Sequence, residues 1–307
     1  MEPIIDIHAH LGDILYPGGV ELIGEAGVKK RHWFDLVSIS ERFLHRLAAD
    51  DSYYGTQMHR LEIKSNLKRN FTGSLENFLG SMHQSGISHS VALPIVPNVS
   101  FSDLQPEADN HPAIIPFTGV DFTREYDVEA ALRKDVQAGA KGMKLHPILQ
   151  RERLTSRRTH EAVEAFAPHG LPILIHTGVC YYYIDETDKQ QREKPEYGDV
   201  QDAIKLAQSF PNVSFVFGHA GLFQWPELRR AIRSLKNVWL DGSFKSPKGV
   251  RELIQVAGAE KVLFGSDWPW GNRAPALKIL NKACRGDDHL ERRILFENAA
   301  QLLSISS

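Results

Sequence analysis

Five side chains of the kind that bind metal ions stand at the ends of strand-like apolar runs: His8, His10, His176, His219 and Asp267. The first two belong to Ile4-Ile5-Asp6-Ile7-His8-Ala9-His10, a short isoleucine-rich run that reads as a buried strand. Residues two apart on a strand point to one face, so His8 and His10 project together and can share one ion. A lone histidine would more readily be a hydrogen-bonded core residue. Two in step, with three further candidates at later strand ends, favour a site. Leu171-Pro172-Ile173-Leu174-Ile175-His176-Thr177-Gly178 ends an apolar run in an imidazole, then a glycine that lets the backbone turn. Phe215-Val216-Phe217-Gly218-His219-Ala220-Gly221 repeats the device, and Val262-Leu263-Phe264-Gly265-Ser266-Asp267 ends in a carboxylate. Imidazole and carboxylate suit Zn²⁺ and neighbouring divalent metals. Three or four such ligands with an open position would let the ion bind water and lower its pKa toward neutrality. Asp267 could ligate the ion and take that water's proton through its other oxygen.

The elements that must position these groups repeat regularly. Strands are expected at Ile4–Ile7, Ser90–Leu93, Ile114–Val120, Gly142–His146, Pro172–His176, Val213–Gly218, Val238–Asp241 and Lys261–Gly265. Helical patterns lie between them at Leu75–Gln84, Tyr126–Ala138, Arg157–Ala167, Val200–Ser209, Pro226–Leu235, Pro247–Val256 and Ala274–Cys284, with a last helix over His289–Leu302. Apolar spacing of three and four, as in Leu132, Val136 and Ala140, carries the helix assignments. Strands alternating with helices imply a parallel sheet, since each parallel crossover needs a dozen or so residues. Eight strands close a TIM barrel. The glycine-rich phosphate loop of an open doubly wound sheet is missing after the first strand, where His8-Ala9-His10-Leu11-Gly12 stands. A barrel also gathers His10, His146, His176, His219 and Asp267 at one mouth, whereas an open sheet would scatter them. The expected fold is a single (β/α)8 TIM-type barrel over residues 1–307.

Residues 13–73 break the repeat and read as an insertion after the first strand, with helices around Trp33–Leu47 and Met58–Leu67. An insertion this long is a lid or binding element, or else a decoration or oligomer contact; a homo-oligomer stays open on this reading. Composition narrows the function classes. The chain has 307 residues, 42% hydrophobic and 24% charged, with formal net charge -2. Such near-neutrality argues against nucleic-acid or membrane-surface partners and leaves a small-molecule substrate. Two cysteines, Cys180 and Cys284, indicate no disulfide framework. No signal-like segment opens the chain and no apolar run reaches membrane-spanning length, so a cytoplasmic protein is expected.

The motifs Asp6-Ile7-His8-Ala9-His10, Gly142-Met143-Lys144-Leu145-His146-Pro147, Ile175-His176-Thr177-Gly178, Gly218-His219-Ala220-Gly221 and Phe264-Gly265-Ser266-Asp267-Trp268-Pro269 span the chain in order. In them the chain resembles the amidohydrolase superfamily, in the branch shared by the amidohydrolase 2 hydrolases and aminocarboxymuconate-semialdehyde decarboxylase. The resemblance implies a distorted barrel with a divalent metal held by His8, His10, His176 and Asp267. It further implies that His219 sits on the substrate or the water and polarises the scissile group while Asp267 handles the proton. Lys144 stands where binuclear relatives carry a carboxylated lysine bridging two metals. A plain lysine needs modification before it can ligate a cation, so one metal, expected to be Zn²⁺, is favoured over two. Unmodified, Lys144 would anchor a substrate carboxylate or brace Asp267.

Further candidates for the substrate wall are His146, Tyr181 and Trp268. The run Tyr181-Tyr182-Tyr183 follows the fifth strand, while Trp225, Trp268 and Trp270 follow the sixth and eighth, which gives an aromatic rim. Arg151 and Arg153 read as a solvated charge run, and Cys180 as lacking a base. The expected activity is metal-dependent hydrolysis of an amide, ester or lactone. The alternative is non-oxidative decarboxylation of an unsaturated or aromatic acid on the same metal cradle.

Overall fold

A computed structural model of the chain describes residues 3–25, 35–44 and 56–305. Nine short parallel strands carry it: β1 (Ile5–Ala9), β2 (His89–Ala92), β3 (Ile114–Pro116), β4 (Thr118–Gly119), β5 (Met143–Leu145), β6 (Ile173–His176), β7 (Phe215–Gly218), β8 (Val238–Asp241) and β9 (Val262–Leu263). They pair in sequence order as two arcs, β1-β2-β3 and β4-β5-β6-β7-β8-β9. The first join is covalent, because β3 and β4 are one run interrupted at Phe117, where a single strand over Ile114–Val120 was expected. The second is made by hydrogen bonds. Ile7 N donates to Phe264 O at 3.0 Å, Asp267 N to His8 O at 2.8 Å and His10 N to Trp268 O at 2.7 Å. The sheet is therefore a closed barrel of eight strand positions, with helices in the crossovers.

The strands are β-branched and aromatic because both of their faces are covered. Ile5, Ile7, Val91, Leu93, Ile115, Phe117, Leu174, Val216 and Leu263 form one buried cluster with Phe296, Ala299 and Leu303 from the C-terminal helical segment. The intervening residues, among them Ile173, Ile175, Phe215 and Phe217, belong to a second cluster that includes the helices. The crossover helices Leu75–Ser85, Val128–Gln137, Arg157–Phe166, Val200–Ser209, Pro247–Ala257 and Arg273–Cys284 fall within a residue or two of expectation. Other places differ. A helix at Phe101–Asn110 contains Pro106, and that proline masks its period in the sequence. The helix expected over Pro226–Leu235 gives way to a 3₁₀ turn at Ile232–Ser234. The last helix is split by a π-segment at Arg293–Glu297.

The insertion leaves and rejoins the barrel at one neck, where Gly12 N donates to Gly73 O at 2.7 Å. Gly12 takes a φ of +87° there, which an L side chain rarely adopts. Helices Leu36–Arg42 and Thr56–Asn70 lie within it; the flanking positions 33, 34 and 45–55 of the expected helices and aromatics lie outside the described residues. Among the described residues no helix is long and apolar enough to cross a membrane.

Candidate metal centre

β1 is irregular where the site begins. Its register against β2 shifts between Asp6 and Ala9. Asp6 faces the helix layer and bonds Arg273 Nε at 3.0 Å. Simple alternation would send His8 the same way. The irregularity re-aims it into the lumen, where it meets Asp241 of β8 and Lys144 of β5, strands that are not neighbours of β1.

Three imidazoles are then fixed by Nδ1. His8 Nδ1 lies 2.6 Å from Asp241 Oδ2, His10 Nδ1 2.9 Å from Leu93 O and His219 Nδ1 2.7 Å from Ser243 Oγ. A carbonyl and a carboxylate only accept, so His8 and His10 carry their protons on Nδ1 and turn lone pairs on Nε2 inward. Both Nε2 atoms face one oxygen, Asp267 Oδ1, at 3.3 and 3.4 Å. That oxygen is buried and has no hydrogen-bond partner. With Lys144 beside them, His8 Nε2, His10 Nε2 and Asp267 Oδ1 converge on one buried point, and imidazole, imidazole and carboxylate fit a divalent metal there. The second possible ligand group, His8, His219 and Asp241, shares His8 with the first. Asp241 acts in it as the carboxylate behind an imidazole: Oδ2 also accepts from His219 N at 3.1 Å, and Oδ1 from Ser243 N at 2.6 Å. Glycine at 265 is what admits it, since a Cβ there would stand 2.8 Å from Asp241 Oδ1.

Lys144 is also inside, 1% exposed, with Nζ 3.3 Å from His8 Nε2. Burial lowers its pKa to about 8, against the pull of Asp267 and Asp241. Burial first, then the Lys144 ammonium, holds His8 and His10 well below the ordinary imidazole range and takes His176 to about 3. His219 is likewise lowered by burial and by His8 and His176. These rings are neutral, as ligands must be. Burial raises Asp267 well above the usual carboxylate range, with Lys144 opposing. Both His219 (φ 59°) and Asp267 (φ 57°) sit in the left-handed region, a costly conformation for non-glycine residues that clusters at functional sites.

The remaining candidates separate. His219 Nε2 reaches 4.0 Å from Asp267 Oδ2, the other carboxylate oxygen. His176 adjoins the cluster, with its ring 4.9 Å from that of His219, but its Nε2 donates to Gly178 O at 3.1 Å. His146 stacks on His176 at 4.3 Å and bonds Tyr182 Oη at 3.0 Å. The tyrosine at the wall is thus Tyr182, whereas Tyr181 is 44% exposed. Trp268 points away from the mouth and packs edge-on against Phe78 at 5.2 Å. Trp270 takes the wall position, 5.1 Å from His10 and 6.0 Å from Tyr182, and Phe244 lies 5.4 Å from His219. Cys180 does have an imidazole beside it, His176 Nε2 at 3.4 Å, yet burial pushes the thiol up to about 12 and the ring proton is on that nitrogen. Arg153 pairs with Asp202 at 3.2 Å over the ring of Tyr197. Asp241 and Ser243 were missed by the sequence reading, although Asp241 ends its strand just as the histidines end theirs.

Residues 5–305 match the family described as Amidohydrolase. Among curated proteins, none matches the sequence. Solved structures with the same fold include 5-carboxyvanillate decarboxylase from Sphingomonas paucimobilis, 13% identical with a TM-score of 0.65 and 100% of both chains covered. 2,6-Dihydroxybenzoate decarboxylase from Rhizobium is 14% identical with a TM-score of 0.63, again over 100% of both chains. A probable 2-pyrone-4,6-dicarboxylic acid hydrolase from Acinetobacter baumannii is 13% identical with a TM-score of 0.60, covering 98% of this chain and 99% of that one.

Proposed function

Because the chain belongs to the amidohydrolase family, we propose that it is a metal-dependent decarboxylase that releases CO₂ from an unsaturated or aromatic carboxylic acid without an oxidant. The observation that carries this reading is the set of aromatic rings, Trp270, Tyr182 and Phe244, beside the inward-facing donors of His8, His10 and Asp267. Such walls suit a planar conjugated acid better than a flexible amide. The whole-length likeness to two decarboxylases adds support.

In this reading His8, His10 and Asp267 hold one divalent ion, Zn²⁺ by donor type, and His176, whose Nε2 bonds Gly178 O, stands beside them. When bound, the ion supplies Lewis-acid polarisation of the substrate's oxygen atoms. Lys144 lends its ammonium to the substrate carboxylate, and the aromatic walls hold the ring at the carbon that bears it. A proton from Asp267 Oδ2 makes that ring carbon tetrahedral, which is what lifts the bond to CO₂ out of the plane; the bond then breaks and its electron pair returns to the ring. His219, facing that oxygen, restores the proton.

The test is isotopic. The Zn²⁺-loaded protein is incubated in D₂O and in H₂¹⁸O with a panel containing 5-carboxyvanillate, 2,6-dihydroxybenzoate and 2-pyrone-4,6-dicarboxylate, and products are read by mass spectrometry. Decarboxylation gives CO₂ and one deuterium on carbon. Solvent ¹⁸O in a product acid, with no carbon-bound deuterium, would replace this reading with metal-dependent hydrolysis of an ester or lactone.

A further inference from the structure

Arg69 lies on the insertion helix Thr56–Asn70, yet it is only 1% exposed and is among the largest fully buried side chains. A buried guanidinium needs all of its donors satisfied. Nε bonds Asp35 Oδ2 at 2.8 Å, and Nη1 and Nη2 bond the two oxygens of Glu41 at 3.2 Å each. Nη2 also bonds Ser38 Oγ at 2.8 Å. The remaining bond leaves the insertion altogether: Nη1 donates to the backbone carbonyl of Trp270.

Further ties run between the same segments. Trp270 Nε1 donates to Asn66 O at 3.1 Å, one turn before Arg69 on the same helix. Glu41 Oε1, already held by Arg69, accepts from Asn272 N at 2.7 Å. The chain just beyond Asp267 is thus gripped at Trp270 O, at the Trp270 indole and at Asn272 N, all by the insertion. This is the segment whose indole stands 5.1 Å from His10 and 6.0 Å from Tyr182.

We infer that the insertion is the device that sets Trp270 as a wall of the metal pocket, with Arg69 as its positioning residue acting through the Trp270 carbonyl. The description of Trp270 as a pocket wall rests on the proposed function; the link from Arg69 to Trp270 does not. With its charge spent on Asp35 and Glu41, Arg69 offers no cation to a substrate. The grip explains why an insertion between the first two strands is built against the loop that follows the last.

The experiment uses the full chain labelled with 5-fluorotryptophan and loaded with Co²⁺, whose paramagnetism broadens nearby ¹⁹F signals. The chain has five tryptophans, and Trp270→Phe identifies the signal of interest. In the parent protein the Trp270 signal broadens on Co²⁺ addition while those of Trp225 and Trp239 stay sharp. In Arg69→Met the Trp270 signal shifts and loses most of that broadening, with the other signals and the Co²⁺ content unchanged. Glu41→Gln, which removes the anion holding both Arg69 and Asn272, gives the same displacement in milder form and serves if R69M does not fold. A Trp270 signal unmoved in shift and broadening by either variant overturns the inference and leaves Arg69 a purely structural residue. Absence of any Co²⁺ broadening in the parent would instead strike at the metal reading, and the chemical shift of Trp270 would still decide the role of Arg69.

Discussion

Asp241 Oδ2 stands 2.6 Å from His8 Nδ1, and neither group is reached by solvent. The carboxylate fixes the His8 tautomer, orients the ring and enriches the inward-facing Nε2 in electron density. Asp241→Asn keeps the shape, but its amide can present N–H to Nδ1 and so move the imidazole proton to Nε2, where a cation would sit. Metal affinity in this variant is expected to fall by about 10–100-fold. Competition with a chromophoric chelator measures it, and an unchanged affinity would show that His8 is not a ligand.

His219 makes the contrasting case. Its Nδ1 is held by Ser243 and its Nε2 looks at Asp267 Oδ2, not at the oxygen shared by His8 and His10. His219→Asn should therefore cost about 10²–10⁴ in turnover, the usual size of lost acid–base help, with metal content intact. Elemental analysis beside the rate assay separates the roles. A variant that purifies without metal would make His219 a ligand.

The gathering of His8, His10 and His219 near one point was legible because a strand end and a following glycine are local features, although the period of two breaks between Asp6 and His8. The closing of the barrel was legible from the count of strands. What escaped depends on paths that loops take between elements. Tyr181 and Tyr182 are adjacent, and the second is held inward by bonds from Tyr182 N to Glu193 Oε2 at 2.7 Å and between its hydroxyl and His146 Nε2 at 3.0 Å. Trp268 and Trp270 share one face by alternation, but the chain has already left the strand, and Arg69, distant in sequence, decides where the second lies. Asp241 ends an expected strand, but its role comes from the contact with His8, far away in sequence. That His176 Nε2 bonds Gly178 O could not be read from spacing at all.

Beneath the centre, Arg273 and Asp6 form an ion pair with neither side chain exposed, and Asp6 also accepts from Ser266 N at 2.9 Å and Ser266 Oγ at 2.6 Å. The pair ties β1 to the residue before Asp267. Arg273→Met leaves a buried carboxylate without its cation, which costs about 3–5 kcal/mol when one partner alone is removed. Asp6→Asn in the same chain removes that charge and should restore part of the loss. Urea midpoints of the single and double variants read both effects. Equal destabilisation in R273M and the double variant would mean that packing on Phe78 and Trp268, not charge, is what Arg273 supplies.

Glu193 yields a prediction in pH. It is 2% exposed, and burial pushes its carboxyl up to about 7, against the bond from Tyr182 N. A carboxyl with a folded pKa above its unfolded one keeps its proton better in the native state. Its effect on stability is absent below the ordinary carboxylate range, where both states are protonated. As pH rises, the unfolded chain releases the proton first, so the native state loses ground until about pH 7 and then no more. Glutamine cannot ionise and retains an oxygen for Tyr182 N. Glu193→Gln should thus match the parent near pH 4 and exceed it by on the order of 2 kcal/mol above pH 7. Thermal melts at matched pH values follow the gap. A gap that stays constant from acid to neutral pH would show that Glu193 ionises normally in the folded protein, and that the loop carrying Tyr182 is held without a buried proton.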